Sequence, residues 1–226
     1  MRFLFILSLC LSGVSASWAN PGVSTLTWEK IDESDGVLVF KQEVPGSDVI
    51  AFKGEGVINA PILRVGSVLV DVPRVPEWMD SVVEARTLRK ASETEYIEYD
   101  HIETPIVLKD RDFVTSNRLE VDVSAKQIRI ITRSVEEPLA PKTSFVRGTI
   151  LSGRWVLTSI DGGQRTHMLT ELHTDPNGSV PKWIVNLFQR GWAKNTIESL
   201  RKQVAKSDIQ IHPQLKLELE KRGFPL

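Results

Sequence analysis

The sequence predicts an α+β fold, with one antiparallel sheet, helices set apart from it and a long helix near the C-terminus. Three observations predict it. Strand-like segments form an unbroken run between two groups of helical ones, where a parallel sheet would alternate the two. Val146–Ile160 and Arg165–Thr174 flank Asp161-Gly162-Gly163, a turn that joins antiparallel neighbours. Ile184, Leu187, Phe188, Gly191, Trp192, Asn195 and Leu200 fall largely along one face of a helix over Pro181–Val204.

In chain order, the first segment reads as a signal peptide, residues 1–19. Arg2 supplies the positive end, Phe3 to Leu11 an apolar run too short to span a bilayer, and Ser17 and Ala19 the small side chains at the −3 and −1 positions of a cut before Asn20. The expected mature protein is periplasmic or secreted. Cleavage would remove Cys10, the only cysteine, so the exported chain would have no disulfide and would rely on its core. With 28 basic and 29 acidic residues spread along the chain, nothing forms the basic footprint of a nucleic-acid binder. Strong attraction of the whole surface to anionic lipid is equally unsupported.

Asp35-Gly36 precedes a short strand, Val37 to Phe40, and Pro45-Gly46 turns the chain into a second, Val49 to Ile58. Gly54 and Gly56 share one face of it, where bare backbone permits close approach of another element. Pro61 to Leu69 has Ile62, Val65 and Leu69 at helical spacing, with Asn59 as a candidate cap. Asp71 and Pro73 end that helix, and Pro76 begins a short second one carrying Trp78 and Met79. Strands then follow at Val82–Leu88, Tyr96–Glu103, Phe113–Val121 and Ile128–Ser134, before the final hairpin and the long helix. The last segment, 207–226, reads as a helical extension with Ile211, Leu215 and Leu219 at helical spacing. One domain over 20–206 with this extension accounts for the chain, which has no repeat or linker.

Three motifs carry a family resemblance. Lys109-Asp110-Arg111-Asp112-Phe113-Val114 puts charge at the entrance of an apolar strand. Gly54-Glu55-Gly56-Val57-Ile58-Asn59-Ala60-Pro61 is a strand running into a proline-started helix. Asp175-Pro176-Asn177-Gly178-Ser179-Val180-Pro181 is a turn delivering the long helix. In this order and spacing they resemble the START family of lipid-transfer domains, from about Trp28 to Val204. The resemblance implies a helix-grip fold, in which a curved antiparallel sheet wraps a long C-terminal helix around an apolar chamber, with two short helices inserted after the second strand. It implies a protein that binds and transfers a lipid (sterol, hopanoid, phospholipid or fatty acid) without a cofactor, touching membranes transiently as a monomer. Two other readings stay open: an enzyme of the helix-grip superfamily, a cyclase or hydrolase of hydrophobic substrates, and a protein-binding module of the envelope.

The resemblance also assigns residues. Leu187, Phe188, Gly191, Trp192 and Asn195 are expected to line the chamber, the glycine supplying space and the asparagine a hydrogen-bonding group. Sterol-binding members carry an acidic residue and an arginine on neighbouring strands inside the chamber. Glu98 falls at the acidic position and Asp100 shares its strand face, but the arginine position falls on Asn117, with Arg118 displaced by one. One residue in a strand exchanges inside for outside, so either a bulge restores Arg118 or Asn117 takes its place. A surface ladder of Glu98 and Asp100 with Arg118 or Arg129 is the alternative. Arg111 is expected to be architectural, tying carbonyls and carboxylates at a strand entrance. Ile106, Val107 and Leu108 resemble the lid loop of the family. A second long connection, Val135 to Ser144, is a candidate for the same mouth.

No catalytic or metal-binding set is expected. His167, Glu171 and His173 share a strand face but lack further ligands, and a solvated face opposite Thr166, Met168, Thr170 and Leu172 accounts for them. No G-x-S-x-G elbow or phosphate-binding glycine loop is present.

Overall fold

The computed structural model of the protein describes residues 27–104 and 108–226, without the side chains at 182, 187 and 188. The expected signal peptide over residues 1–19, and Ile106 and Val107 of the lid loop, lie outside the described residues.

The chain begins with three strands, β1 (Glu29–Ser34), β2 (Val37–Gln42) and β3 (Ala51–Ile58). Two short helical segments follow, α1 (Ile62–Val70) and a 3-10 helix (Val72–Glu77). Next come β4 (Val82–Lys90), β5 (Glu95–Ile102), β6 (Arg111–Asp122), β7 (Gln127–Ser134), β8 (Val146–Arg147), β9 (Thr149–Ile160) and β10 (Arg165–Asp175). The chain ends with α2 (Lys182–Ala205) and α3 (Pro213–Lys221). Among the described residues these strands form one sheet in the order β1-β2-β3-β10-β9-β7-β6-β5-β4, antiparallel throughout, with β8 adding to β6 in parallel. The α+β class and the long C-terminal helix are as predicted.

Two local expectations are corrected, and one strand is added. β1 was not anticipated, because Glu-Lys-Ile-Asp-Glu-Ser offers one apolar residue and no clear alternation; its backbone pairing with β2 at the sheet edge makes it a strand, with a bulge between Lys30 and Asp32. The segment Val146–Ile160 is two strands broken at Gly148, where a Cβ would overlap the Phe113 ring. Asn59 does not cap α1: Pro61 holds the cap position, and its carbonyl accepts from Arg64 N (3.0 Å) and Val65 N (3.1 Å).

The paired glycines of β3 mark where α2 crosses the sheet. A Cβ on Gly54 would come within 2.7 Å of the Ala193 carbonyl oxygen, and one on Gly56 within 3.1 Å of Ile197. Ala193, Ile197, Leu200 and Val204 are buried along this side of α2 and join Val39, Ile58, Val65, Ile128, Leu157 and Met168 in the main hydrophobic cluster. The extension is part of that cluster. Leu215, Leu219 and Phe224 are buried in it, Leu215 against Gly66 of α1, while Ile211 stays largely exposed. Arg64 fastens the junction by donating to the carbonyls of Val204 (2.7 Å), Lys206 (2.6 Å) and Ile209 (3.3 Å), which caps the end of α2 as well as the chain beyond it.

Candidate functional site

A pocket of about 440 Å³ lies between the N-terminal part of α2 and the concave run of strands from β5 to β10. Strand alternation selects its walls. Tyr96, Glu98, Asp100 and Ile102 come from β5, and Arg111, Phe113, Thr115 and Asn117 from β6, every second residue in each case. Ile130 and Thr132 of β7 and Gly153 and Trp155 of β9 continue the same face. From the helix come Ile184, Gln189, Gly191, Trp192, Asn195 and Thr196, and Trp78 closes one side from just beyond the 3-10 helix. Most of this surface is apolar, and Trp155 and Trp192 meet edge to face at 5.9 Å between ring centres.

Of the helix residues expected in the chamber, Gly191, Trp192 and Asn195 line the pocket. A Cβ on Gly191 would meet nothing within 4 Å, so the glycine leaves open space. Leu187 and Phe188 lie on α2 with their side chains outside the described residues. Leu108, the described member of the lid loop, lines the pocket as well.

The strand charges divide between two faces. Register between β5 and β6 runs without a shift, pairing Glu98 with Thr115, Tyr96 with Asn117, and Glu95 with Arg118. No bulge turns Arg118 inward. Its side chain is exposed and ion-pairs with Glu120 at 3.0 Å, so the expectation of Arg118 in the chamber is corrected. Asn117 stands inside instead, 5% exposed. The surface-ladder alternative is overturned too, since Glu98 and Asp100 face the pocket while Arg129 pairs outside with Asp122 at 3.2 Å.

Asn117 organises a buried polar network. Its amide nitrogen donates to Glu98 Oε2 (2.9 Å) and Thr115 Oγ1 (3.0 Å), and its oxygen accepts from the Thr132 hydroxyl (2.6 Å). Burial pushes the Glu98 carboxyl well above the usual range, and the neighbouring Asp100 charge adds to this. Burial also pushes Asp100 up to about 7, with the hydrogen bond from Glu98 working the other way. The two carboxyls therefore hold at least one proton between them near neutrality. The Tyr96 hydroxyl beside them is pushed up by burial and then by both acids.

The charged motif at the entrance of β6 is architectural. Arg111 is buried and donates to the carbonyls of Lys109, Pro176 (3.3 Å) and Asn177 (3.3 Å), which ties the lid-loop end to the turn before α2. Asp110 accepts from Thr104 N at 3.0 Å and meets His101 at 2.9 Å. Asp112 receives Arg147 (2.7 Å) and the Thr143 hydroxyl (2.9 Å). The motif thus staples three connections around one end of the pocket.

Two expectations about the histidine strand diverge. Thr166, Met168 and Thr170 are buried on the inner face as expected. His173, however, is not solvated: the loop before β3 covers it, and it bonds to Ser47 Oγ (2.9 Å) and the Val49 carbonyl (3.1 Å). Among the described residues no group of three His, Cys, Asp or Glu is placed to hold a metal. The sequence reading missed Trp78, Phe113, Trp155, Thr132 and Gln189 as lining residues. Strand alternation from Glu98 and Asn117 would have found Phe113; the others follow from sheet curvature and helix placement.

Comparison with known proteins agrees with this arrangement. The family model described as START domain matches residues 15–207. The chain is 26% identical over 179 residues to an uncharacterised protein of Pseudomonas aeruginosa, covering 79% of this chain and 87% of the other. It is 24% identical over 202 residues to the phosphatidylcholine transfer protein of Mus musculus, covering 87% of this chain and 91% of the other. Among solved structures, a STAR-related lipid transfer protein fragment from Xanthomonas axonopodis superposes with a TM-score of 0.70 at 25% identity, covering 79% of this chain and 99% of that one.

Proposed function

The chain belongs to the START domain family, and from that premise we propose that it binds a hydrophobic lipid in the pocket under α2 and exchanges it with membranes, without chemical turnover. The observation that carries this reading is the pocket itself, a mostly apolar volume in which Glu98, Asp100 and Asn117 stand together on one wall. Such a wall solvates a long apolar body and orients one polar end. Burial of each methylene contributes ~0.8 kcal/mol, so a chain of ordinary length is held firmly by desolvation alone.

Exchange needs an opening. Leu108 lines the pocket beside the lid loop, and Trp183, 69% exposed at the start of α2, stands next to the lining residue Ile184. These side chains would enter the interfacial layer when the mouth meets a bilayer. The N-terminal segment supports export to the periplasm or outside the cell; N-terminal sequencing of the mature protein should begin near Asn20, and a chain retaining Phe3 to Leu11 would refute cleavage.

The test of binding is mass spectrometry of the protein purified from its native host under non-denaturing conditions. A lipid at one per chain, recovered unchanged after incubation, is the expected result. An empty pocket that also refuses every apolar probe would overturn the proposal. Conversion of the bound lipid would favour acid–base catalysis by Glu98 and Asp100, the groups whose raised pKa suits such work.

A further inference from the structure

We infer, on the reading that the pocket holds a lipid, that its polar end selects an amphiphile with a protonated amine head, received by Glu98 and Asp100. Among the fully buried polar atoms of the described lining, unpartnered acceptors outnumber unpartnered donors. Asp100 Oδ1 is buried without a hydrogen-bond donor. Gln189 lies on α2, the opposite wall, and is 7% exposed. Its amide nitrogen donates to the Thr174 carbonyl at 2.9 Å, which fixes the amide orientation and leaves Oε1 without a partner. Glu98 adds a carboxyl that accepts from the Asn117 amide and shares a hydrogen bond with Asp100. Among the fully buried atoms of the described lining, the one donor without a partner is the Trp78 indole N–H; the Asn195 amide and the Tyr96 hydroxyl line the pocket as well. Buried polar atoms without partners are costly, so a bound head rich in donors relieves those it meets.

Charge points the same way. Arg111 is the only Lys or Arg among the described lining residues, and its guanidinium is committed to three backbone carbonyls. Glu171 of β10 is held by Arg154 at 2.7 Å. Asp80 and Glu103 lie before β4 and after β5, Tyr96 beside Glu98, and the described side chains of α2 bring no charge to the lining. Two neighbouring carboxyls in an apolar wall cannot both ionise alone. An ammonium supplies three donors and a positive charge, and allows both to ionise. An alcohol satisfies one acceptor and leaves the shared proton in place. A fatty-acid carboxylate or a phosphate would bring acceptors and negative charge to a site already rich in both.

Dodecylamine, dodecanol and dodecanoic acid test this, as competitors of a fluorescent apolar probe bound to the whole protein. The amine should compete about tenfold better than the alcohol, as charge-assisted hydrogen bonds exceed neutral ones, and the acid worst. Amine binding near neutral pH should release protons, seen as a binding enthalpy that varies with the ionisation enthalpy of the buffer, whereas alcohol binding should not. Amine affinity should rise as pH rises through about 7, because the ionised pair is the form that binds. Asp100→Asn should remove the amine preference, while Arg118→Ala, on the outer face, should keep it. Equal competition by alcohol and amine in the wild type, or an amine preference that survives Asp100→Asn, would overturn the inference and leave lipid binding standing. Failure of all three to displace a probe, or of any probe to bind, would remove the lipid-binding reading and this inference with it. The head-group ranking and the proton release in the wild type decide the matter even if the variant does not fold.

Discussion

Asp100 and Asn117 face the same pocket from neighbouring strands, and they act on stability in opposite senses. Burial pushes the Asp100 carboxyl up to about 7 in the folded protein, from the 3.8 of an unperturbed aspartate. Between those values the native state holds more protons than the unfolded chain. The Asp100 contribution therefore falls as pH rises from about 4 towards 7, and stays lost above. Asp100→Asn removes the buried charge and should raise the melting temperature at about pH 8 by several degrees while changing little near pH 4. Equal shifts at both pH values, measured by thermal denaturation, would contradict the assignment. Asn117 instead satisfies Glu98, Thr115 and Thr132. Asn117→Ala strands these groups and should cost about 1–3 kcal/mol in denaturant unfolding. Arg118→Ala, one residue away and exposed, should stay within about 0.5 kcal/mol. The identity of both residues could be read from the sequence; which of them faces inward could not, because a single slip of register exchanges the faces and register depends on the neighbouring strand.

The elements that position the pocket meet through unusually small residues. Gly54 lets α2 lie directly on β3, and a methyl group there would press on the Ala193 carbonyl. Gly54→Ala should destabilise by about 1–3 kcal/mol, since backbone on both sides must move. The terminal helix α3 is the second such element. Its Leu215 and Leu219, with Phe224 beyond it, fill the main cluster next to α1, although residues after 207 fall outside the match to the family. A chain ended at Asp208 should melt well below the full chain and bind dyes specific for exposed apolar surface, because losing even one buried leucine costs about 2–5 kcal/mol. A truncated chain with an unchanged melting temperature would show that this packing contributes nothing. The two glycines in β3 and the leucine spacing of α3 were both legible as patterns. Their partners were not, since Ala193 and Gly66 lie far away in sequence. Gly148 shows the same limit: only the Phe113 ring against it explains why one long apolar run becomes two strands.

At the scale of the whole molecule, the pocket lies between sheet and helix, and variants that fill or reshape it test that volume directly. Gly191 borders open space, so Gly191→Leu should lower ligand occupancy in native mass spectra without lowering the melting temperature, the larger side chain being also a better helix former. Trp192→Ala should weaken binding of an apolar probe more than Trp28→Ala, since Trp192 lines the pocket while Trp28 precedes β1 and lies near the Lys53 ammonium, 5.3 Å from its ring centre. Val107→Ser with Leu108→Ser should slow transfer between vesicles more than it weakens binding of a soluble analogue, as less apolar surface brings the mouth to the bilayer. A variant that loses thermal stability but keeps normal transfer per folded molecule would assign these residues to the core. The sequence by itself determined the α+β class, the order of most elements, the long helix and the charged motif at the entrance of β6, because periodicity, turn chemistry and proline placement act over a few residues. Only the tertiary structure decided that Asn117 and not Arg118 joins Glu98 and Asp100, that His173 is covered, and that the terminal helix belongs to the core. Those outcomes depend on strand register and on contacts between distant segments, and each such contact forms against a partner that local sequence does not specify.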